Sequence, residues 1–237
     1  MSAFRDLISA HLLRFERPER APCDAATGTR LLKAFVLVGL VLQPGLRAVS
    51  GFAGLAGAPW VRPAIVVTLT LAVVFVMRAL VRSPSSVIGL HRWGAWTPRE
   101  RIYFLTVVPL TAVAFTIVFR RHLAHLAETH GPVRLLALTV PTGLLWGMVQ
   151  EFIYRGVLQT ELVRRLGGVA GVLLTNLVFT FGPLHFNYFG IGTHTGPQWS
   201  MFAAIFCIGL LFGILYRRSG NLWIPAVMHG LWPLNMT

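Results

Sequence analysis

Seven apolar runs, at roughly 31–58, 62–81, 101–119, 134–162, 167–186, 199–216 and 220–235, follow a mixed polar stretch at the start of the chain. A membrane-crossing helix needs about 20 predominantly apolar residues. Pro44 and Gly45 break the first run and the last run is short. The pattern therefore predicts an all-α polytopic transmembrane bundle of about seven spans, six to eight allowing for those two runs. Residues 1–30 read differently. Leu7, Ile8, Leu12, Leu13 and Phe15 alternate there with Arg5, Arg14, Arg17 and Arg20. That is the pattern of a basic helix lying on the cytoplasmic membrane surface; a disordered leader after Pro18 fits equally well. The organisation expected is thus a cytoplasmic amphipathic segment over 1–30 and a single transmembrane helical domain over 31–237. The stretch 51–57 (GFAGLAG) reads as a helix kink or a loop.

Composition supports the membrane reading. The chain is 55% hydrophobic and 12% charged, with a mean hydropathy of +0.66, whereas soluble domains average about 25% charged residues. The net charge of +13 would suggest nucleic acid in a soluble protein. Here the arginines lie between apolar runs, where they act as topology signals and headgroup contacts, so the expected partner is the lipid bilayer and not nucleic acid. Cys23 and Cys207 show no metal-ligand spacing, and no disulfide is expected. No early apolar segment resembles a signal peptide.

Loop charges set an expected orientation. Arg5, Arg14, Arg17, Arg20, Arg30 and Lys33 precede the first span, and only Arg47 and Arg62 flank the next loop. Arg78, Arg82, Arg92, Arg99 and Arg101 follow, then Arg120, Arg121 and Arg134, then Arg164 and Arg165. The stretch 184–198 has no Lys or Arg, Arg217 and Arg218 come next, and the tail has none. The richer loops mostly alternate with the poorer ones. By the positive-inside rule the N-terminus is cytoplasmic and the C-terminus outside. The loop with His194 is then outside, and His185 and His229 lie in the outer halves of their spans.

One charge stands apart. Glu151 lies within an apolar run, in the segment Gln150-Glu151-Phe152-Ile153-Tyr154-Arg155-Gly156. An ionisable residue inside a span is costly and points to function. Arg155, one turn on, can pair with it and hold it ionised. Alternatively Glu151 is raised toward neutrality by burial and serves as a general base, or the pair is a structural ion pair between helices. Pro183 loosens the fifth run just before His185, and His229 lies among Pro225, Gly230 and Pro233. Each histidine alone reads as interfacial. Together, one acid and two imidazoles on three helices can converge on one water in the bundle core.

These residues resemble a known family. Glu-x-x-x-Arg at Glu151 and Arg155, Phe-x-x-x-His at Phe181 and His185, and the final-span His229 are similar to motifs of the CPBP intramembrane proteases. That family includes the CAAX prenyl endopeptidases and bacterial Abi-related proteins. The resemblance covers roughly 133–237, where the catalytic motifs are expected, with an echo at Val87-Ile88-Gly89-Leu90. It implies a glutamate-type intramembrane endopeptidase acting on a protein substrate near a transmembrane helix. The implied catalytic residues are Glu151, His185 and His229, supported by Gln150, Arg155, Asn235, Phe181 and Tyr154. The chain also resembles myxosortase-like bacterial members, which process C-terminal sorting helices; that implies the bacterial inner membrane.

Two positions depart from the family pattern. The family has two adjacent glutamates, and the first, usually assigned to water activation, is Gln150 here. Asn usually stands four residues after the last His, where this chain has Pro233. Either catalytic roles have shifted or the chain is a degenerate relative, a membrane scaffold or immunity protein. No cofactor is required by the protease reading. A zinc-dependent version would use Glu151, His185 and His229 as ligands, although the His-x-x-x-His spacing of zincins is missing. A proton-coupled transporter is a further alternative.

Overall fold

The computed structural model describes residues 23–52, 60–82, 85–131, 133, 140–190 and 196–232. Most of the 1–30 segment, the 53–57 part of GFAGLAG, Arg134, His194, Pro233 and Asn235 lie outside the described residues. Every regular element within them is helical, which is the all-α architecture the apolar runs predict.

Asp24 starts the first helix by accepting the Thr27 amide on its carboxylate at 2.6 Å. Helix α1 (Ala25–Phe35) continues through a wide π turn (Val36–Leu42) into α2 (Gln43–Phe52). The break expected at Pro44 and Gly45 does not occur. A proline clashes with the carbonyl four residues back and lacks its own N–H. The widened turn directly before Pro44 shifts the bonding register, so the rod continues past it.

Helix α3 (Val61–Val76) ends in a second π turn at Met77–Val81, closed by Arg82 in the left-handed region. Two short 3-10 turns, Ser85–Ile88 and Trp93–Ala95, lead to α4 (Pro98–Val118). A capping box starts α4: Thr97 and Glu100 each receive the other's backbone N–H, and Pro98 opens the first turn. Helices α5 (Arg120–His130), α6 (Val140–Glu151) and α7 (Thr160–Leu166) follow, with a π segment (Phe152–Gln159) joining α6 to α7. Helix α8 (Gly168–Phe181) bends by 53° into a 3-10 turn (Pro183–Phe189). Helices α9 (Trp199–Ser219) and α10 (Trp223–Gly230) complete the bundle.

All seven apolar runs thus contain helix, but they are not equivalent. Four helical rods among the described residues are long and apolar enough to cross a membrane: Ala25–Val49, Val61–Val81, Pro98–Val118 and Trp199–Ser219. The bent α8 pair makes a fifth if counted as one span. The rod over 140–166 is long enough but carries Gln150, Glu151, Arg155, Gln159 and Glu161, all buried. It is the polar centre of an otherwise apolar bundle. Around it, Leu31, Phe35, Leu69, Val73, Ile153, Val157 and Phe179 form the core. Leu71, Phe75, Leu110 and Val118 are exposed, as suits side chains facing lipid hydrocarbon.

The two ends of the bundle differ in charge. A Cβ on Gly28 would meet Glu161, whose carboxylate holds Arg164 at 2.6 and 2.7 Å and also Arg165. A Cβ on Gly168 would meet Arg217. The arginines flanking α1, α7 and α9 therefore gather at one end, while Arg47, toward the far end of the α1–α2 rod, and Arg62, at the start of α3, lie at the other.

Candidate active site

Glu151 is fully buried where α6 becomes the π segment. Its Oε1 lies 2.7 Å from Nδ1 of His229 on α10. Its Oε2 lies 3.3 Å from Nε of Arg155, an ionic contact without hydrogen-bond alignment. A carboxylate can only accept, so Nδ1 of His229 carries the proton in this contact. The close approach of α6 and α10 is made by glycine. A Cβ on Gly147 would sit 2.6 Å from the Gly230 Cα, and one on Gly230 would sit 2.6 Å from the Leu144 carbonyl oxygen. Small residues at such a crossing let two backbones meet, and here the crossing brings Glu151 to His229.

Arg155 is buried with it. Its Nη2 donates to the Gly209 carbonyl at 2.8 Å, and its guanidinium lies 4.2 Å from the centre of the Phe179 ring. Other polar side chains of the bundle reach carbonyls on the same stripe of α9. Gln159 donates to Gly213 at 2.8 Å and Asn176 to Phe206 at 2.9 Å. This stripe gives each of the three side chains one carbonyl acceptor, where an unbonded donor would be costly in a bilayer.

His185 sits after the bend of α8, at a residue whose backbone leaves the helical region (φ −116°, ψ 19°). Its Nδ1 is 2.8 Å from the Phe179 carbonyl oxygen. A carbonyl has no proton to give, so Nδ1 donates, and in the neutral ring Nε2 is the acceptor. Tyr188 stacks on the ring at 5.9 Å.

Phe179 is the side chain around which the site is arranged. Its ring meets Tyr154 and His185 at 5.1 Å each, His229 at 6.0 Å and the Arg155 guanidinium. Tyr154 is wholly buried between Phe35 and Phe179.

Gln150, Phe179, His185 and His229 line one cavity of about 1020 Å³, together with apolar side chains such as Trp146, Ile205 and Phe212. Glu151 lies behind that wall, in contact with His229. The structure thus brings together Gln150, Glu151, Arg155, Tyr154, His185 and His229. Phe181 is not among them: it is 38% exposed and packs against Phe202 on the outside of the bundle. Helix α8 ends at Phe181, so the four-residue spacing to His185 crosses the bend and the two side chains part. Phe179, Arg47, Arg62 and Tyr188 also border the site or its cavity and were not singled out by sequence. Their only sequence signal was position: Arg47 and Arg62 read as loop charges, and Phe179 as one apolar residue in a run.

No group of three or more His, Cys, Asp or Glu side chains among the described residues is placed to hold a metal ion. Glu151 Oε1 and His229 Nδ1 engage each other, and His185 Nδ1 engages a carbonyl. Glu151, His185 and His229 do not form such a group, and Glu151 meets His229 as a hydrogen-bond partner of its ring.

The fold and the site define an integral membrane protein with a buried carboxylate–imidazole pair whose imidazole lines a large cavity among the helices. Residues 132–234, a little under half of the chain, match the family described as Type II CAAX prenyl endopeptidase Rce1-like. The chain is also similar to the uncharacterized protein YpbD of Bacillus subtilis (strain 168), 31% identical over 86 residues. That match covers 36% of this chain and 36% of YpbD, so the chain spans little more than a third of that relative. No solved structure matches.

Proposed function

We propose that the protein is an intramembrane endopeptidase that cuts membrane-anchored protein substrates near a transmembrane helix. The observation that carries this reading is the convergence of Gln150, His185 and His229 on one cavity wall, with Glu151 bonded to His229 from behind.

The chemistry follows from the tautomers. Nε2 of His229 takes a proton from a water in the cavity. The imidazolium so formed keeps its Nδ1–H on the Glu151 carboxylate, which stabilises the charge as in a Ser-His-Asp arrangement. Nε2 of His185 accepts the water's second hydrogen and aims the oxygen at the scissile carbonyl carbon. The tetrahedral oxyanion accepts from the Gln150 amide. The proton on His229 Nε2 then passes to the leaving amine as the C–N bond breaks. Arg155 pairs with the Glu151 carboxylate at 3.3 Å and fixes its rotamer. In this scheme Glu151 remains a catalytic-site acid, acting through His229, and Gln150 supplies a neutral donor where the family has a carboxylate. Every proton is carried by side chains of this chain, so the scheme uses no metal.

The substrate class is a protein with an apolar C-terminal helix, a sorting signal of the bacterial inner membrane. The gathering of Arg164, Arg165 and Arg217 at the end near Gly28 supports a cytoplasmic N-terminus, with the cavity toward the outer side. The test is cleavage of a reporter bearing such a helix by the wild type and by Glu151→Ala, His185→Ala and His229→Ala. Cleavage by the wild type alone is expected; four indistinguishable proteins would end the hydrolase reading. A second reading, a peptide-binding scaffold without turnover, is favoured by Gln150 alone, and the same assay separates the two.

A further inference from the structure

His185 stands on irregular backbone, with φ −116° outside the helical region, so no regular helical turn restricts its rotamer as it does inside a helix. Histidine χ2 is broad and roughly two-fold. The hydrogen bond from Nδ1 to the Phe179 carbonyl therefore leaves the ring room to tilt. Two aromatic rings limit that tilt. Phe179 stands across the imidazole at 5.1 Å and 85°, and Tyr188 lies alongside it at 5.9 Å and 23°. The 3-10 turn makes the second pairing, because three residues per turn bring the side chains at i and i+3 into line.

Tyr188 is in turn fixed to α9. Its carbonyl accepts the amide of Gln198, the residue before α9, at 2.9 Å. Its ring meets the buried Phe202 of α9 at 6.3 Å and 84°. The same turn is held by Arg47, which donates to the Leu184 carbonyl at 2.7 Å. Tyr188 lines the cavity beside His185, yet no proton step of the proposed hydrolysis uses its hydroxyl.

We propose that Tyr188 is a positioning residue for His185: its ring, pinned to the start of α9, holds the imidazole plane so that Nε2 meets the cavity. Aromatic rings favour offset-stacked and edge-to-face pairs, and the His185 ring has one neighbour of each kind. Held between them, it keeps one plane. The ring face of Tyr188 does this, and the hydroxyl is dispensable. The clamp deepens the peptidase reading and rests on it for its effect on turnover, but the order of the His185 ring is a property of the fold.

The full chain in phosphatidylcholine nanodiscs, carrying nitrogen-labelled histidine, is compared as wild type, Tyr188→Phe, Tyr188→Leu and Tyr188→Met. Solid-state NMR reads the tautomer and ring order of His185, whose signals are assigned by their loss in His185→Gln. The wild type and Tyr188→Phe should show one rigid Nδ1–H ring. Both aliphatic variants should show a tilting ring of lower order, with the His229 signals unchanged as the sign of an intact site. Cleavage of the sorting-helix reporter should then fall in kcat by about 10-fold or more in the aliphatic variants, as for a displaced catalytic group, with KM within about twofold. Tyr188→Phe should cut within about twofold of the wild type. A rigid His185 ring in the aliphatic variants overturns the clamp. So does a Tyr188→Phe variant as impaired as Tyr188→Leu, which would assign the role to the hydroxyl. Loss of order at His229 together with His185 also overturns it, by showing that Tyr188 supports the whole site. So does a wild-type kcat in an aliphatic variant. If the wild type fails to cut the reporter, the peptidase reading falls, and the ring order of His185 still decides the clamp.

Discussion

Glu151 and His229, 78 residues apart in sequence, meet at 2.7 Å in the centre of the bundle. The contact makes the acid a partner of the imidazole and keeps it off the cavity wall. The two adjacent residues are thereby separated: Gln150 meets the cavity, and Glu151 accepts the Nδ1 proton of His229.

Glu151→Gln tests that division. The amide keeps the shape of the carboxylate but removes its charge, so His229 loses the acceptor that fixes its tautomer and Arg155 loses its counter-ion. Activity should fall about 10³-fold or more, the scale seen when an orienting acid is neutralised behind a catalytic histidine. Stability should fall as well, by about 3–5 kcal/mol, because a buried guanidinium is left uncompensated. Reporter cleavage and thermal unfolding in detergent, measured on the same preparation, check both. Full activity with lowered stability would make Glu151 purely structural.

Gln150→Ala should behave differently. The Gln150 side chain has no carboxylate to pair and forms part of the cavity wall. Its loss should cost about 10²–10³-fold in kcat, as for removal of one oxyanion donor, with KM and thermal stability nearly unchanged. A loss confined to KM would show that Gln150 binds the ground state and does not stabilise the oxyanion.

Phe179 and Phe181 give a paired prediction. Phe179→Leu removes the ring that meets Arg155, Tyr154, His185 and His229. About 1–3 kcal/mol of stability should be lost, from the cation–π contact and the aromatic pairs together, along with most activity. Phe181→Leu alters a half-exposed side chain on the outer surface and should leave cleavage within about twofold. Equal loss in both variants would contradict the placement of Phe179.

The contrast between these two residues shows what the sequence could and could not convey. The apolar runs made the helical bundle legible, and the i, i+4 spacing made the Glu151–Arg155 pair legible. The histidines were legible as polar residues beside prolines. The Phe-x-x-x-His spacing misled because it presumes a continuous helix, whereas the chain bends by 53° between Phe181 and Pro183. Likewise Gln150 and Glu151 are about 100° apart around the helix, and which of them meets the cavity depends on packing against α10. The π segment over Phe152–Gln159 contains no proline that would signal its widened turn. Arg47 and Arg62 are ordinary loop arginines by spacing, and only the fold turns them toward the cavity.

The crossing of α6 and α10 carries the last prediction. A methyl group on Gly147 would come within 2.6 Å of the Gly230 Cα, and backbone there cannot yield as a side-chain tip can. Gly147→Ala must therefore push the two helices apart. In most helices this change stabilises, by about 1 kcal/mol of propensity. Here separation would lengthen the Glu151–His229 contact, which hydrogen-bond geometry tolerates poorly beyond about 3.2 Å. The variant should remain folded, because the rest of α6 packs elsewhere in the bundle, yet lose activity about 10²-fold, as a displacement of about 1 Å does in a positioned site. Circular dichroism and thermal unfolding report the fold, and the reporter assay reports the contact. Gly156→Ala is the control, since its Cβ would meet the flexible end of Leu222 at 3.0 Å and no backbone of α10. Comparable loss of activity in both variants would mean that any added volume in this rod disturbs the site, and that the Gly147–Gly230 crossing has no special part in joining Glu151 to His229.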